Sequence, residues 1–151
     1  ILETARDKGA FVQQPNTRPF VDNVKRLFPK DKKLVDQLFP AHGFHMRLAT
    51  RADGSCVFLG PEGCTLPREA RPHYCLIFPV WIVGDRLRLF TPPGCLAVEE
   101  SRHVEERLEI MDMNEAEVRH LHGRIRLAWG LPPKEDMPVL EQAFRRYKKV
   151  K

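Results

Sequence analysis

The sequence predicts an α+β fold: a small β-hairpin core bearing four cysteines, flanked by N-terminal and C-terminal helices. Three observations predict it. Apolar residues recur at helical spacing in the first and last thirds of the chain. The middle third alternates between apolar and polar residues and is broken by glycine and proline. All four cysteines, Cys56, Cys64, Cys75 and Cys95, fall in that middle stretch. The 151 residues read as one domain, 1–151, with 1–43 helical, 44–95 the cysteine-bearing β core and 96–151 helical.

In the first segment Pro19 can open a helix carrying Phe20, Val24, Leu27 and Phe28, which Pro29 stops. Asp31 can cap a second, short helix with Leu34, Val35, Leu38 and Phe39, closed by Pro40 and Gly43. His42 and His45 follow as spare imidazoles, and such residues are more often surface or core groups than metal ligands. The middle segment opens on the alternating run Phe44-His45-Met46-Arg47-Leu48. Ala52-Asp53-Gly54 reads as a turn, and Cys56-Val57-Phe58-Leu59 as the returning strand. Gly60-Pro61-Glu62-Gly63 has turn chemistry. Arg71-Pro72 sets an extended entry to Cys75. Trp81-Ile82-Val83 and Leu87-Arg88-Leu89-Phe90 flank Gly84-Asp85 as a second hairpin, which would bring Cys95 back to Cys75 through the rigid loop Thr91-Pro92-Pro93-Gly94. All four thiols are thereby placed on strand ends and turns. In the last segment Val104, Leu108 and Met111 make one stripe. Asn114 can cap a helix with Val118, Leu121 and Ile125 that runs to Trp129, where Gly130 and Pro132-Pro133 break it. Leu140, Ala143, Phe144 and Tyr147 suit a final amphipathic helix.

Composition bounds the function. The longest apolar run, Leu76 to Val83, is too short to cross a bilayer, so no membrane partner is expected. No secretory signal is visible, and a cytoplasmic, reducing compartment is the expectation; there, clustered cysteines favour metal binding over disulfides. A chain that opens on Ile1 is compatible with further residues upstream. The formal charge is +5, concentrated in the Arg145–Lys151 tail. That tail reads as a solvated helix end rather than a nucleic-acid surface, because it lacks interleaved stacking aromatics.

The cysteines carry the chemistry. Cys64 and Cys95 directly follow glycines, and Gly54 precedes Cys56 by two positions, so the backbone can fold closely over the sulfurs. Seven, ten and nineteen residues separate successive cysteines, and no pair has zinc-finger spacing. Four readings stay open: a tetrahedral zinc site, an iron–sulfur cluster, a redox thiol pair without the usual C-x-x-C, or four small buried apolar residues. Arg51, Arg68 and Arg71 are placed to offset thiolate charge. Register decides how many ligands the first hairpin can supply. Pairing Leu59 with Cys64 puts Cys56 and Cys64 on opposite faces, whereas pairing Phe58 with Cys64 puts them on the same face.

The runs Gly54-Ser55-Cys56-Val57-Phe58-Leu59, Gly63-Cys64-Thr65-Leu66 and Arg71-Pro72-His73-Tyr74-Cys75-Leu76-Ile77-Phe78-Pro79 together resemble the YkgJ-type cysteine-cluster family of zinc- or iron-chelating domains. Flagellin lysine N-methylases belong to the same broad group. The resemblance covers roughly Gly54 to Cys95, with Cys95 matching the family's downstream cysteine. The family also carries an N-terminal C-x-x-C-x-x-C-C cluster, and no cysteine precedes Cys56 here. The resemblance implies a bacterial metal-binding protein with Cys56, Cys64, Cys75 and Cys95 as ligands to zinc or an iron–sulfur cluster. Its expected partners are a metal ion and a protein. The alternative is an enzyme acting on a protein substrate by methyl transfer or redox chemistry, with His45, His73 or His103 as accessory groups. No cofactor-binding motif for methyl transfer is visible.

Overall fold

The computed structural model describes residues 10–91, 101 and 103–132. It is a mixed α/β chain with five α-helices and three two-stranded antiparallel sheets among those residues. The chain forms two compact units. One comprises residues 10–26 and Lys32–Pro72; the other comprises Leu27–Asp31 with the described residues from His73 onward.

The first unit begins with a strand where helix was expected. β1 (Phe11–Pro15) pairs antiparallel with β2 (Phe44–Leu48), in a register that sets Phe11 opposite Leu48 and Pro15 opposite Phe44. Between them run α1 (Arg18–Leu27) and α2 (Lys32–Leu38), the two expected helices. Thr17 starts α1, its hydroxyl accepting from Phe20 N at 3.4 Å. Phe20 meets Phe39 edge-on at 5.5 Å, and Lys25 pairs with Asp36, so α2 folds back on α1. Gly43 is required by close approach: a Cβ there would lie 3.0 Å from Asn16 Nδ2 and 3.2 Å from Pro40 O.

The expected return strand over 56–59 is mostly a turn, with Leu59 N donating to Cys56 O at 2.9 Å. Only a bridge between Thr50 and Cys56 survives of the pairing expected for it. The hairpin that does form is short, β3 (Leu59–Gly60) with β4 (Gly63–Cys64), followed by a 3-10 turn at Arg68–Ala70. Beneath it Ala10, Phe58 and Leu66 make a buried cluster.

In the second unit, α3 (His73–Ile77) leads into the hairpin β5 (Val80–Val83) and β6 (Arg86–Leu89). Val83 sits opposite Arg86, so Gly84-Asp85 is the two-residue turn that the sequence indicates, and Gly84 takes a φ of +63°. α4 (Val104–Ile110) packs against β6, and α5 (Glu115–Ala128) against both α3 and β5. Asn114 caps α5 with a reciprocal box: its side chain accepts from Glu117 N, and the Glu117 carboxylate accepts from Asn114 N. The core here is aromatic. Trp81 is fully buried, with His122 edge-on at 5.0 Å and Phe28 edge-on at 5.8 Å, and its indole N–H donates to Leu27 O at 3.3 Å. The expected final helix over 140–147 lies outside the described residues.

Candidate functional site

The structure overturns the four-cysteine metal site. Leu59 pairs with Cys64, but the chain turns between Cys56 and Leu59 instead of running on as a strand, so no common pleat relates Cys56 to Cys64. Cys56 packs against the Ala10–Phe58–Leu66 cluster, while Cys64 is exposed. Cys75 belongs to the second unit and sits on helix α3, not on a strand end; it too is exposed. Cys95, and with it the expected closure on Cys75, lies outside the described residues. Among the described residues no three His, Cys, Asp or Glu side chains gather as a metal-holding group. A zinc or iron–sulfur site needs about four converging ligands, and these residues do not supply them. Among the described residues, Cys56, Cys64 and Cys75 form no cluster in a hairpin core.

Arg71 has the extended backbone that the following proline imposes, φ −75° and ψ 140°. Its guanidinium does not offset thiolate charge in the way expected of it. Nε donates to Leu66 O at 3.0 Å and Nη2 reaches Cys64 O at 3.5 Å, so the cation pins the carbonyls of the 64–66 loop.

The histidines are also placed for structure. His45, on β2, stacks flat on Phe20 with centroids 3.6 Å apart. Asn16 is buried and fixes that ring. Its amide nitrogen donates to Pro40 O at 2.9 Å, which leaves Oδ1 to accept from His45 Nδ1 at 3.0 Å. Burial, and after it the Arg47 charge, lowers the His45 pKa. His73 starts α3, where its Nε2 accepts from Arg124 Nε of α5 at 3.1 Å and its Nδ1 is buried without a hydrogen-bond partner. Burial and then the Arg124 and His120 charges lower its pKa. His103 stands at the start of α4, exposed, without a side-chain capping bond.

The chain matches no protein-family model, no curated protein and no solved structure. Its site must be read from its own geometry. In the second unit a shallow, open recess is lined by Phe28, Lys30, Asp31, Ile82, His122 and Arg126, among others. Its charges are already spent internally: Arg126 Nη1 donates to Asp31 Oδ2 at 2.8 Å, and the same guanidinium donates twice to Pro132 O.

The β1–β2 ribbon is different. Its register places Phe11, Gln13 and Pro15 on the same face as Phe44, Met46 and Leu48. That face leaves Phe44 59% exposed, Met46 63% and Phe11 37%. No side chain on it is charged. Exposed apolar residues scattered singly are ordinary, but a contiguous group on one sheet face marks an interaction surface. The sequence signal was present in the alternation over Phe44–Leu48; what it lacked was the partner strand, since Phe11-Val12-Gln13-Gln14-Pro15 shows no clear period of two.

No helix among the described residues is long and apolar enough to cross a membrane.

Proposed function

We propose that this chain is a protein-binding module whose docking surface is the apolar face of the β1–β2 ribbon. The carrying observation is the exposure of Phe44 and Met46 on one uncharged face with Phe11. Residues 10–22 and 40–53, which make the ribbon and its flanks, contain Arg18, Arg47 and Arg51 together with Asp22 and Asp53. Arg47 and Arg51 are held by neutral oxygens, those of Thr50, Ser55 and Val57. Among the described residues neither has a carboxylate within salt-bridge distance. Arg18 pairs with Asp22, the Arg51 charge acts on Asp53, and Arg47 lies on the opposite face of the ribbon. The uncharged apolar face itself therefore sets the partner's chemistry, a protein segment that presents apolar side chains along one side.

The test is titration calorimetry with nonapeptides that alternate Val and Thr, compared with peptides of the same composition in scrambled order. The alternating peptides should bind. Replacing Phe44 and Met46 together by threonine, which keeps strand propensity, should weaken that binding by about tenfold or more. Equal binding by the double variant, or no binding by any peptide, refutes the reading.

Kinship with the cysteine-cluster family is also proposed, on the resemblance over roughly Gly54 to Cys95 alone. It brings no ligand set with it.

A further inference from the structure

We infer that Arg124 and His120, with His73 holding the arginine in place, form a binding site for a phosphate group on the second unit, a site separate from the ribbon. Arg124 and His120 stand one turn apart on α5, so their side chains rise from the same face of that helix. His73 comes from α3, which packs on α5, and its Nε2 accepts from Arg124 Nε at 3.1 Å. His120 is close enough that its charge, after that of Arg124, acts on the His73 ring. Three nitrogen-bearing side chains from two helices of one unit thus meet at one place.

The hydrogen bond decides what the guanidinium can do. An arginine is a planar fork of five N–H donors, and the bond to His73 uses the one on Nε and orients the plane. The outer edge of the fork, Nη1 and Nη2, has no hydrogen-bond or ion-pair partner among the described residues, and Arg124 is exposed. Its neighbours on α5 are committed. Arg126 is held by Asp31 and Pro132 O, and Arg119 by Glu115 and Asp85 O. The row at four-residue spacing reads Ala116, His120, Arg124, Ala128, with no acid in it and small side chains at both ends. Glu117, one turn before His120, has its carboxylate on Asn114 N in the capping box. A fork with its Nε side occupied takes an oxyanion end-on, through two parallel N–H···O bonds. A carboxylate spends both oxygens on that edge. A phosphate group keeps a further oxygen out of the plane for the His120 imidazole, and its second negative charge suits a row without acids. His73 touches no ligand and is a positioning residue: as a neutral ring it holds Nε and leaves the outer edge free.

The experiment titrates the whole chain with inorganic phosphate, phenyl phosphate and acetate, read by the magnetic resonance signals of the Arg124 Nε–H and the His120 ring. It is run at about pH 7.5, above the second ionisation of a phosphate monoester at about 6. Both phosphates should give shifts that saturate, and acetate should bind about tenfold more weakly. Tighter binding of phenyl phosphate marks an ester as the natural source, and tighter binding of inorganic phosphate marks the free anion. Arg124→Gln should weaken phosphate binding about tenfold or more, and His120→Gln about threefold, the losses expected for two charge-assisted bonds and for one weaker bond. His73→Leu should also cost about threefold, whereas His73→Gln, which keeps an acceptor for Nε, should bind as the parent does. Since Arg124 is exposed, its replacement spares the core, and unchanged tryptophan emission verifies that. Shifts that rise without saturating, acetate binding as tightly as phosphate, or parent affinity in Arg124→Gln would show a solvated surface cation and refute the site. Parent affinity in His73→Leu would refute the positioning of the fork.

Discussion

Asn16 does more for its unit than its place in a polar loop suggests. It is 5% exposed, and four contacts converge on it: its amide holds Pro40 O and His45 Nδ1, its backbone N–H holds Gly43 O, and the Gly43 backbone passes close against its side chain. One residue thus ties the end of β1, the end of α2 and the start of β2. Asn16→Ala strands the His45 N–H, while Pro40 O keeps its bond from Gly43 N, and a buried polar group left unpaired costs about 1–3 kcal/mol. The expected loss is about 1–2 kcal/mol, allowing for partial exposure of His45; urea denaturation followed by circular dichroism measures it. A loss below the scatter of surface substitutions would show that the network is decorative. His45 stood out in the sequence as an imidazole without an assigned role. Asn16, its partner, did not, because nothing local links residues twenty-nine positions apart. Arg71 taught the same lesson differently: the Arg-Pro bracket was readable, but not that the guanidinium would turn to carbonyls.

At the scale of elements, what was legible is what local chemistry decides. Proline and glycine bounded α1 and α2, Asn114 announced α5 through its capping box, and Gly84-Asp85 fixed a hairpin by itself. Pairings between distant segments were not legible. β2 found its partner at Phe11–Pro15, across two helices, where the nearest alternating run at Cys56 was the sequence's own candidate. The cysteines were grouped by nearness in sequence, but of the three described, Cys56 opens a turn, Cys64 sits on a short strand and Cys75 on the short helix at His73–Ile77. Long-range ion pairs share this opacity. Asp31, read as a helix cap, stands directly before α2 and is the counterion of Arg126, ninety-five positions on. Arg126 is 4% exposed, and it also stands 5.6 Å over the Phe28 ring. Arg126→Ala leaves Asp31 without its cation and should cost about 3–5 kcal/mol, whereas Arg126→Met, which fills the same volume, should cost less. Both tryptophans, Trp81 and Trp129, pack on Phe28 in this unit, so their emission during urea unfolding reports the loss. An alanine variant as stable as the parent would mean that the pair contributes nothing beyond its own desolvation.

Taken over the whole molecule, stability should fall on mild acidification, and the cause is divided between the two units. His45 in one and His73 in the other both have pKa values lowered from 6.5, chiefly by burial, with Arg47 acting on the first and Arg124 and His120 on the second. The unfolded chain therefore binds more protons than the folded chain as the pH falls below 6.5. Stability is fully present above that value and is lost progressively as the pH drops through the lower, folded-state values. For His73 the geometry agrees with the sign. Its Nε2 accepts from a guanidinium, and protonation would turn that acceptor into a donor and set cation against cation. His73→Gln presents an amide oxygen to Arg124 that does not titrate, so the tryptophan-detected midpoint in urea should depend less on pH between 7 and 5 than it does in the parent (roughly the span that brackets an ordinary imidazole). His45→Gln should leave that tryptophan signal's pH dependence unchanged, because His45 titrates in the unit that contains neither Trp81 nor Trp129. Its share should appear instead in the hydrogen exchange of residues 11–15 and 44–48. A midpoint that rises on acidification, or a His73→Gln variant with the parent's full pH dependence, would show that these two rings do not carry the linkage.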